Sequence, residues 1–145
     1  MIASGPEFRG KALTSGTACG AWIKLDEPLS FWGGVDADGR VIDVHHPQAG
    51  TSLTGAVVGM CSGRGSSSAA AVLAEQIRTG HSPAAVVMTE VDTILVVGAL
   101  VAAELYEKHM PIVQVDESVF AQLAGRVTVR VDVAMTARLT TMGVP

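Results

Sequence analysis

The sequence is poor in charge, in aromatics and in cysteine. Only 17% of its 145 residues are Asp, Glu, Lys or Arg and 4% are Phe, Trp or Tyr, so the core must be filled by small aliphatic side chains. The two cysteines, Cys19 and Cys61, are far apart and in no Cys-x-x-Cys pair. That spacing gives little support to a disulfide framework or a self-contained metal site, and buried free thiols are expected. The Lys and Arg residues are scattered singly in a chain of formal net charge −4. They offer no basic stripe for a phosphate backbone, and nucleic acid is not expected as a partner. The longest apolar run, 94–105, contains Gly98 and Glu104 and is too short to span a bilayer. The N-terminus also lacks a basic region followed by an apolar run. The expectation is a soluble cytoplasmic protein with no membrane partner.

What is present is a Val- and Ala-rich chain, 48% hydrophobic with 16 glycines, of a length that suits one domain. Its shortage of charge has two explanations. Either a permanent partner covers part of the apolar surface, or an aliphatic core alone accounts for the composition.

The chain is organised around residues 57–73, Val-Val-Gly-Met-Cys-Ser-Gly-Arg-Gly-Ser-Ser-Ser-Ala-Ala-Ala-Val-Leu. They read as a buried strand, a glycine-serine turn and the start of a helix. Gly63 and Gly65 allow positive φ and close approach of a ligand. Ser66, Ser67 and Ser68 place hydroxyls where a helix leaves its first N–H groups unpaired. An anion or polar substrate is the expected guest. No Gly-Lys-Ser/Thr follows, so this is not a Walker A loop, and the serines fill the position of the third glycine of a dinucleotide fingerprint. A plain strand-to-helix connection with a serine cap is the competing reading.

Earlier in the chain, 7–12 and 18–25 alternate as strands, with Ser15-Gly16 as a hairpin turn. An irregular crossover follows, broken by Pro28 and Gly33-Gly34, in which Phe31 and Trp32 are expected to plug the core or an interface. Asp36-Ala37-Asp38-Gly39 is a turn rather than a calcium loop, because the later ligands are missing. It leads into a short strand, 41–44. His45-His46 has no carboxylate or thiol spaced to complete a metal site, which favours structural hydrogen bonding.

From residue 56 strands and helices alternate: strands at 56–61, 84–88, 111–115 and 126–131, helices at 67–78, 92–108 and 117–124. Wholly apolar strands are buried on both faces, which places helices on both sides of a mostly parallel sheet. With the antiparallel layer of the first third, the fold class is α/β, a β/β/α sandwich. Loops at the carboxyl ends of such strands carry function. Thr89 or Asp92, leaving a second such end, either caps the next helix or lines the same pocket.

Three phrases then stand in order: Asp26-Glu27-Pro28-Leu29-Ser30-Phe31-Trp32-Gly33-Gly34-Val35-Asp36, His46-Pro47-Gln48-Ala49-Gly50 and Ser62-Gly63-Arg64-Gly65-Ser66-Ser67. Together they resemble the small subunit, or swivel domain, of the aconitase X family, over most of residues 7–131. Thr93 departs from the family, where proline is common, and the segment after Asp132 is not diagnostic. The resemblance implies a single swivelling β/β/α domain over 1–145, with its core at about 7–131. It would close over an active site on a separate large subunit. The family's iron-sulfur cluster is bound by cysteines of that large subunit, and Cys19 and Cys61 could not supply three ligands. No metal site is therefore expected on this chain alone.

The family's activities are dehydration of cis-3-hydroxy-L-proline in bacteria and of mevalonate 5-phosphate in archaea. The resemblance therefore implies a hydro-lyase subunit acting on a small anionic substrate. Its base maps to Ser66. Gly63, Arg64, Gly65, Ser67 and Ser68 are the expected substrate-binding residues, with Ser67 also expected to cap the helix. Arg64 is an anion clamp or a plain surface arginine. The arginine-containing loop leans toward hydroxyproline. The competing class is a non-catalytic anion-binding or regulatory module.

Overall fold

The computed structural model describes residues 4–63, 66–132 and 134–142. Their elements run β1 (Ser4–Thr14), β2 (Gly16–Lys24), α1 (Phe31–Gly34), β3 (Val57–Met60), α2 (Ser68–Thr79), β4 (Ala85–Met88), α3 (Thr93–Tyr106), β5 (Ile112–Gln114), α4 (Glu117–Phe120), β6 (Arg126–Val131) and β7 (Thr136–Met142). The strands close into one barrel, in the order β1-β5-β4-β3-β2-β6-β7. Neighbours from β2 to β5 are parallel. The β1–β5, β1–β7, β2–β6 and β6–β7 pairs are antiparallel.

β3 and β4 are buried at every position, so alternate residues feed two cores. Val58, Met60, Val86 and Met88 face outward into a cluster with Leu73 and Ile77 of α2 and Leu95 and Ala99 of α3. Val57, Val87 and Val113 face inward, against Val127, Val129, Leu139 and Phe120. The second face of the parallel strands is thus covered by the antiparallel arc and α4, and not by a further layer of long helices. An all-apolar strand demands cover on both faces without specifying what supplies it. The expected β/β/α layering is present.

Strand pairing differs from the sequence reading at three places. β1 and β2 do not form a hairpin: the chain turns at Ser15-Gly16, but β1 joins β5 and β7 while β2 joins β3 and β6. The strand expected at 41–44 is reduced to the isolated bridges Val35↔Val41 and Arg40↔Ser52. β7, in the segment that the sequence leaves undiagnosed, closes the barrel between β1 and β6, so the packed core runs beyond residue 131.

α2 ends as its sequence dictates, whereas α3 ends at Glu107 with a left-handed φ of 55° and the helix expected over 117–124 is limited to Glu117–Phe120. α2 stops at Gly80, whose φ of 81° lets its N–H turn back to the carbonyls of Gln76 and Ile77, a left-handed cap that glycine adopts without steric cost. α2 and α3 approach closely at Gly98, where a Cβ would lie 2.7 Å from the carbonyl oxygen of Ala70. No helix among the described residues is long and apolar enough to cross a membrane.

Candidate active site at the carboxyl ends of the parallel strands

The buried strand β3 releases the chain at Cys61 into the loop that precedes α2. Backbone and side-chain bonds tie this loop to the next carboxyl end: Glu90 N–H donates to the Cys61 carbonyl (2.8 Å), as does the Thr89 hydroxyl (3.1 Å). The Gln114 amide, from β5, donates to the Thr89 carbonyl (3.0 Å). The ends of β3, β4 and β5 therefore form one face. It carries a cleft of about 270 Å³ between Ser62-Gly63 and residues 90–94. Beside it is a wider one of about 600 Å³ bordered by Arg9, Lys11, Glu90, Gln114, Asp116 and Glu117.

Ser66, Ser67 and Ser68 are exposed where α2 begins, and Ser62 and Gly63 are half-buried. Arg64 and Gly65 lie outside the described residues, and their expected roles rest on the sequence. Gly63 is needed for space and not for left-handed φ, since a Cβ there would overlap the Asp92 carboxylate and its φ is not positive. Ser67 does not cap α2 with its side chain: its φ of −57° and ψ of −24° are already helical and no side-chain cap bond forms. Side-chain capping works from an extended residue. Tight turns open the helix instead, with Ala69 N–H reaching the Ser66 carbonyl (3.0 Å).

Asp92 is a true cap. It is extended (φ −100°, ψ 102°), and its Oδ1 accepts from Ile94 N–H (2.9 Å) and Leu95 N–H (3.4 Å). It also lines the smaller cleft, so both sequence readings of this residue hold.

His46 is buried and structural. Its Nδ1 accepts from Gln48 N–H (3.0 Å), which leaves Nε2 to donate to the Glu27 carbonyl (2.9 Å). The Gln48 amide in turn donates to Asp26 (2.6 Å), joining two of the phrases singled out in the sequence. Phe31 is inside (1% exposed), whereas Trp32 is 59% exposed. Trp32 borders a largely apolar groove of about 690 Å³ that reaches Ser68 and Val72 along α2, a feature that no local sequence signal distinguishes from core packing. Further along α2 the hydrogen bond from Arg78 lowers the pKa of Glu75 and raises that of Arg78, and the pair belongs to the exposed helix surface.

Both cysteines are free and exposed, not buried as expected. Cys61 directly follows β3, whereas Cys19 projects from the barrel wall opposite Thr128. Among the described residues no group of three or more His, Cys, Asp or Glu is placed to hold a metal ion. The donor set of an iron-sulfur cluster is therefore not met by the residues described.

The layered barrel carries exposed serines, Ser66 to Ser68, where the chain enters α2, and this arrangement defines an α/β domain with its candidate site at one end of the parallel strands. The family model for the aconitase X swivel domain matches residues 7–139, and the chain belongs to this family. It is 43% identical over 115 residues to cis-3-hydroxy-L-proline dehydratase of Pseudomonas aeruginosa, covering 79% of this chain and 20% of the relative. The chain thus spans about a fifth of that enzyme's length. The phosphomevalonate dehydratase small subunit of Thermococcus gammatolerans is 34% identical over 97 residues, covering 66% of this chain and 74% of the relative. The crystal structure of Thermococcus kodakaraensis aconitase X in its holo-form superposes with a TM-score of 0.78 at 28% identity, over 97% of this chain and 100% of that chain. The two curated relatives are named as a dehydratase and a dehydratase small subunit.

Proposed function

We propose that this chain is the small, swivelling subunit of a hydro-lyase, that it closes over an active site on a large subunit, and that Ser66 is the base in dehydration of cis-3-hydroxy-L-proline. The observation that carries the reading is the place of Ser66. It is exposed at the turn opening α2, on the face where the ends of β3, β4 and β5 converge. The 43% identity to a hydroxyproline dehydratase supports the substrate. The exposed Trp32 and its groove, which runs to Ser68, supply an apolar rim on which a partner can close.

Dehydration needs a group that takes a proton from carbon. An ordinary serine is a weak base, so its ionised form must be stabilised by the N–H groups at the start of α2 and by the Arg64 guanidinium. Main-chain N–H groups of Gly65, Ser67 and Ser68 are assigned to the substrate carboxylate. Gly63 keeps the loop close to the Asp92 cleft. Departure of the hydroxyl is assigned to groups outside this chain, where an iron-sulfur cluster would supply a Lewis acid.

The similarity to the phosphomevalonate dehydratase small subunits favours mevalonate 5-phosphate as the second reading, with the same loop holding a phosphate. Assay of the chain reconstituted with its large subunit on both substrates separates the two. Ser66→Ala is expected to lower kcat by about 10² to 10⁴ with partner binding intact, the usual worth of a positioned acid-base group. Near-normal turnover in that variant would move the base to the partner and leave an anion cradle here.

A further inference from the structure

Arginines that look isolated in the sequence are brought together by strand register. Arg9 of β1 stands opposite Arg138 of β7, and Arg138 stands opposite Arg130 of β6. Thr17 of β2 ends the row beside Arg130. All three arginines are exposed. The intervening Phe8, Val129, Val131 and Leu139 turn into the barrel, and side-chain alternation puts the arginines on its outer wall. Lys11, two residues beyond Arg9, is opposite Thr136.

Like charges directly opposite one another destabilise a sheet. Among the described residues none of these three arginines forms an ion pair within 4 Å, the ion pairs being Glu75–Arg78 and Asp38–His81. Carboxylates stand near its ends: Glu90, Asp116 and Glu117 line the cleft that Arg9 borders, and Glu7 and Asp132 lie on the neighbouring positions of β1 and the turn before β7. Glu7 lies opposite Thr140, and Asp132 is engaged with its own turn through the N–H groups of Ala134 and Thr136 (both 2.9 Å). A chain of net charge −4 therefore places three arginines at facing register positions, where uncharged threonines would be less costly.

We propose that this row is a docking surface for an acidic protein segment whose carboxylates interleave with Arg9, Arg138 and Arg130. The guanidinium fork matches a carboxylate with two parallel hydrogen bonds. Strands about 4.8 Å apart make the row about 10 Å long, the reach of two or three acidic side chains on one short segment. A phosphate backbone gains affinity from many contacts in series, and single strands also stack on aromatics. This wall offers a short row flanked by Thr17, Thr128, Thr136 and Thr140, with Lys11 and Arg126 each standing further out along its strand. Arg9 also borders the wider cleft at the strand ends, so a partner covering that face can reach the row. The inference goes beyond the dehydratase reading and holds whether or not Ser66 is catalytic.

The test titrates a fluorescein-labelled hexaglutamate peptide into the whole chain and into the double variant Arg130→Thr/Arg138→Thr. Labelled oligothymidylate and inorganic phosphate are run in parallel, and Lys24→Thr/Lys108→Thr serves as a control of equal charge change. The expected result is salt-sensitive peptide binding, weakened at least about tenfold in the arginine variant and unchanged in the control. Relief of the repulsion should also raise the Tm of the arginine variant by about 1 to 4 °C. The proposal is overturned by any of several results: no peptide binding to the unmodified chain, equal loss in the control, a lowered Tm in the arginine variant, or tighter binding of oligothymidylate. The last would assign the row to nucleic acid.

Discussion

Gly63 lies so close to the Asp92 carboxylate that a Cβ on residue 63 would overlap Oδ2. The other oxygen of the same carboxylate holds the first N–H groups of α3. The loop leaving β3 and the cap of the helix after β4 therefore share one space. Neither can shift without disturbing the other.

Gly63→Ala is accordingly expected to destabilise the chain by about 1 to 3 kcal/mol, the usual range for forcing atoms into a filled site. In an Asp92→Ser background, where a short cap replaces the carboxylate, most of that cost should vanish. Denaturant unfolding of the four members of the cycle measures it, and additive effects would show that the overlap relaxes elsewhere.

The two helix starts should respond differently to alanine. Asp92→Ala removes a formed cap and is expected to cost about 0.5 to 2 kcal/mol. Ser67→Ala removes no cap bond from an exposed residue and should change stability by less than about 0.5 kcal/mol. A large loss at Ser67 in thermal unfolding would mean that its hydroxyl is structurally engaged.

Replacing His46 with alanine leaves Gln48 N–H and the Glu27 carbonyl without the imidazole. The expected cost is about 1 to 3 kcal/mol. Amide hydrogen exchange should accelerate in residues 26–50 before it does in the barrel. Uniform acceleration across both would contradict a local role for this side chain.

On an unobstructed helix Gly→Ala stabilises by about 1 kcal/mol. At Gly98 the sign should reverse, because the new methyl would meet the Ala70 carbonyl oxygen at 2.7 Å. The Tm of Gly98→Ala should fall. A rise would show that α2 and α3 can separate at no cost.

Much of the candidate site was legible before the fold was known. The serine loop, the alternation of strands and helices from β3 onward and the Asp92 cap all rest on neighbours close in the chain, where turn chemistry and side-chain period act directly. The cap assigned to Ser67 failed for a conformational reason. Three consecutive serines show where hydroxyls cluster but not which residue is extended, and here the helical turn already includes Ser67. The lack of spaced ligands marks His46 as structural, but the bonds it makes are not set locally, since Glu27 is 19 positions away.

The sequence by itself determined the all-apolar strands, the helices between them and the break between β3 and α2, because each is set by patterns within a few turns or pleats. Only the tertiary structure decided that β1 and β2 part company, that β7 closes the barrel, that Gly63 seats against Asp92, and that Arg9, Arg138 and Arg130 stand in one row. Each of these depends on register or contact between segments remote in the chain. A side-chain period of two says which face a residue occupies, and leaves open which strand lies beside it.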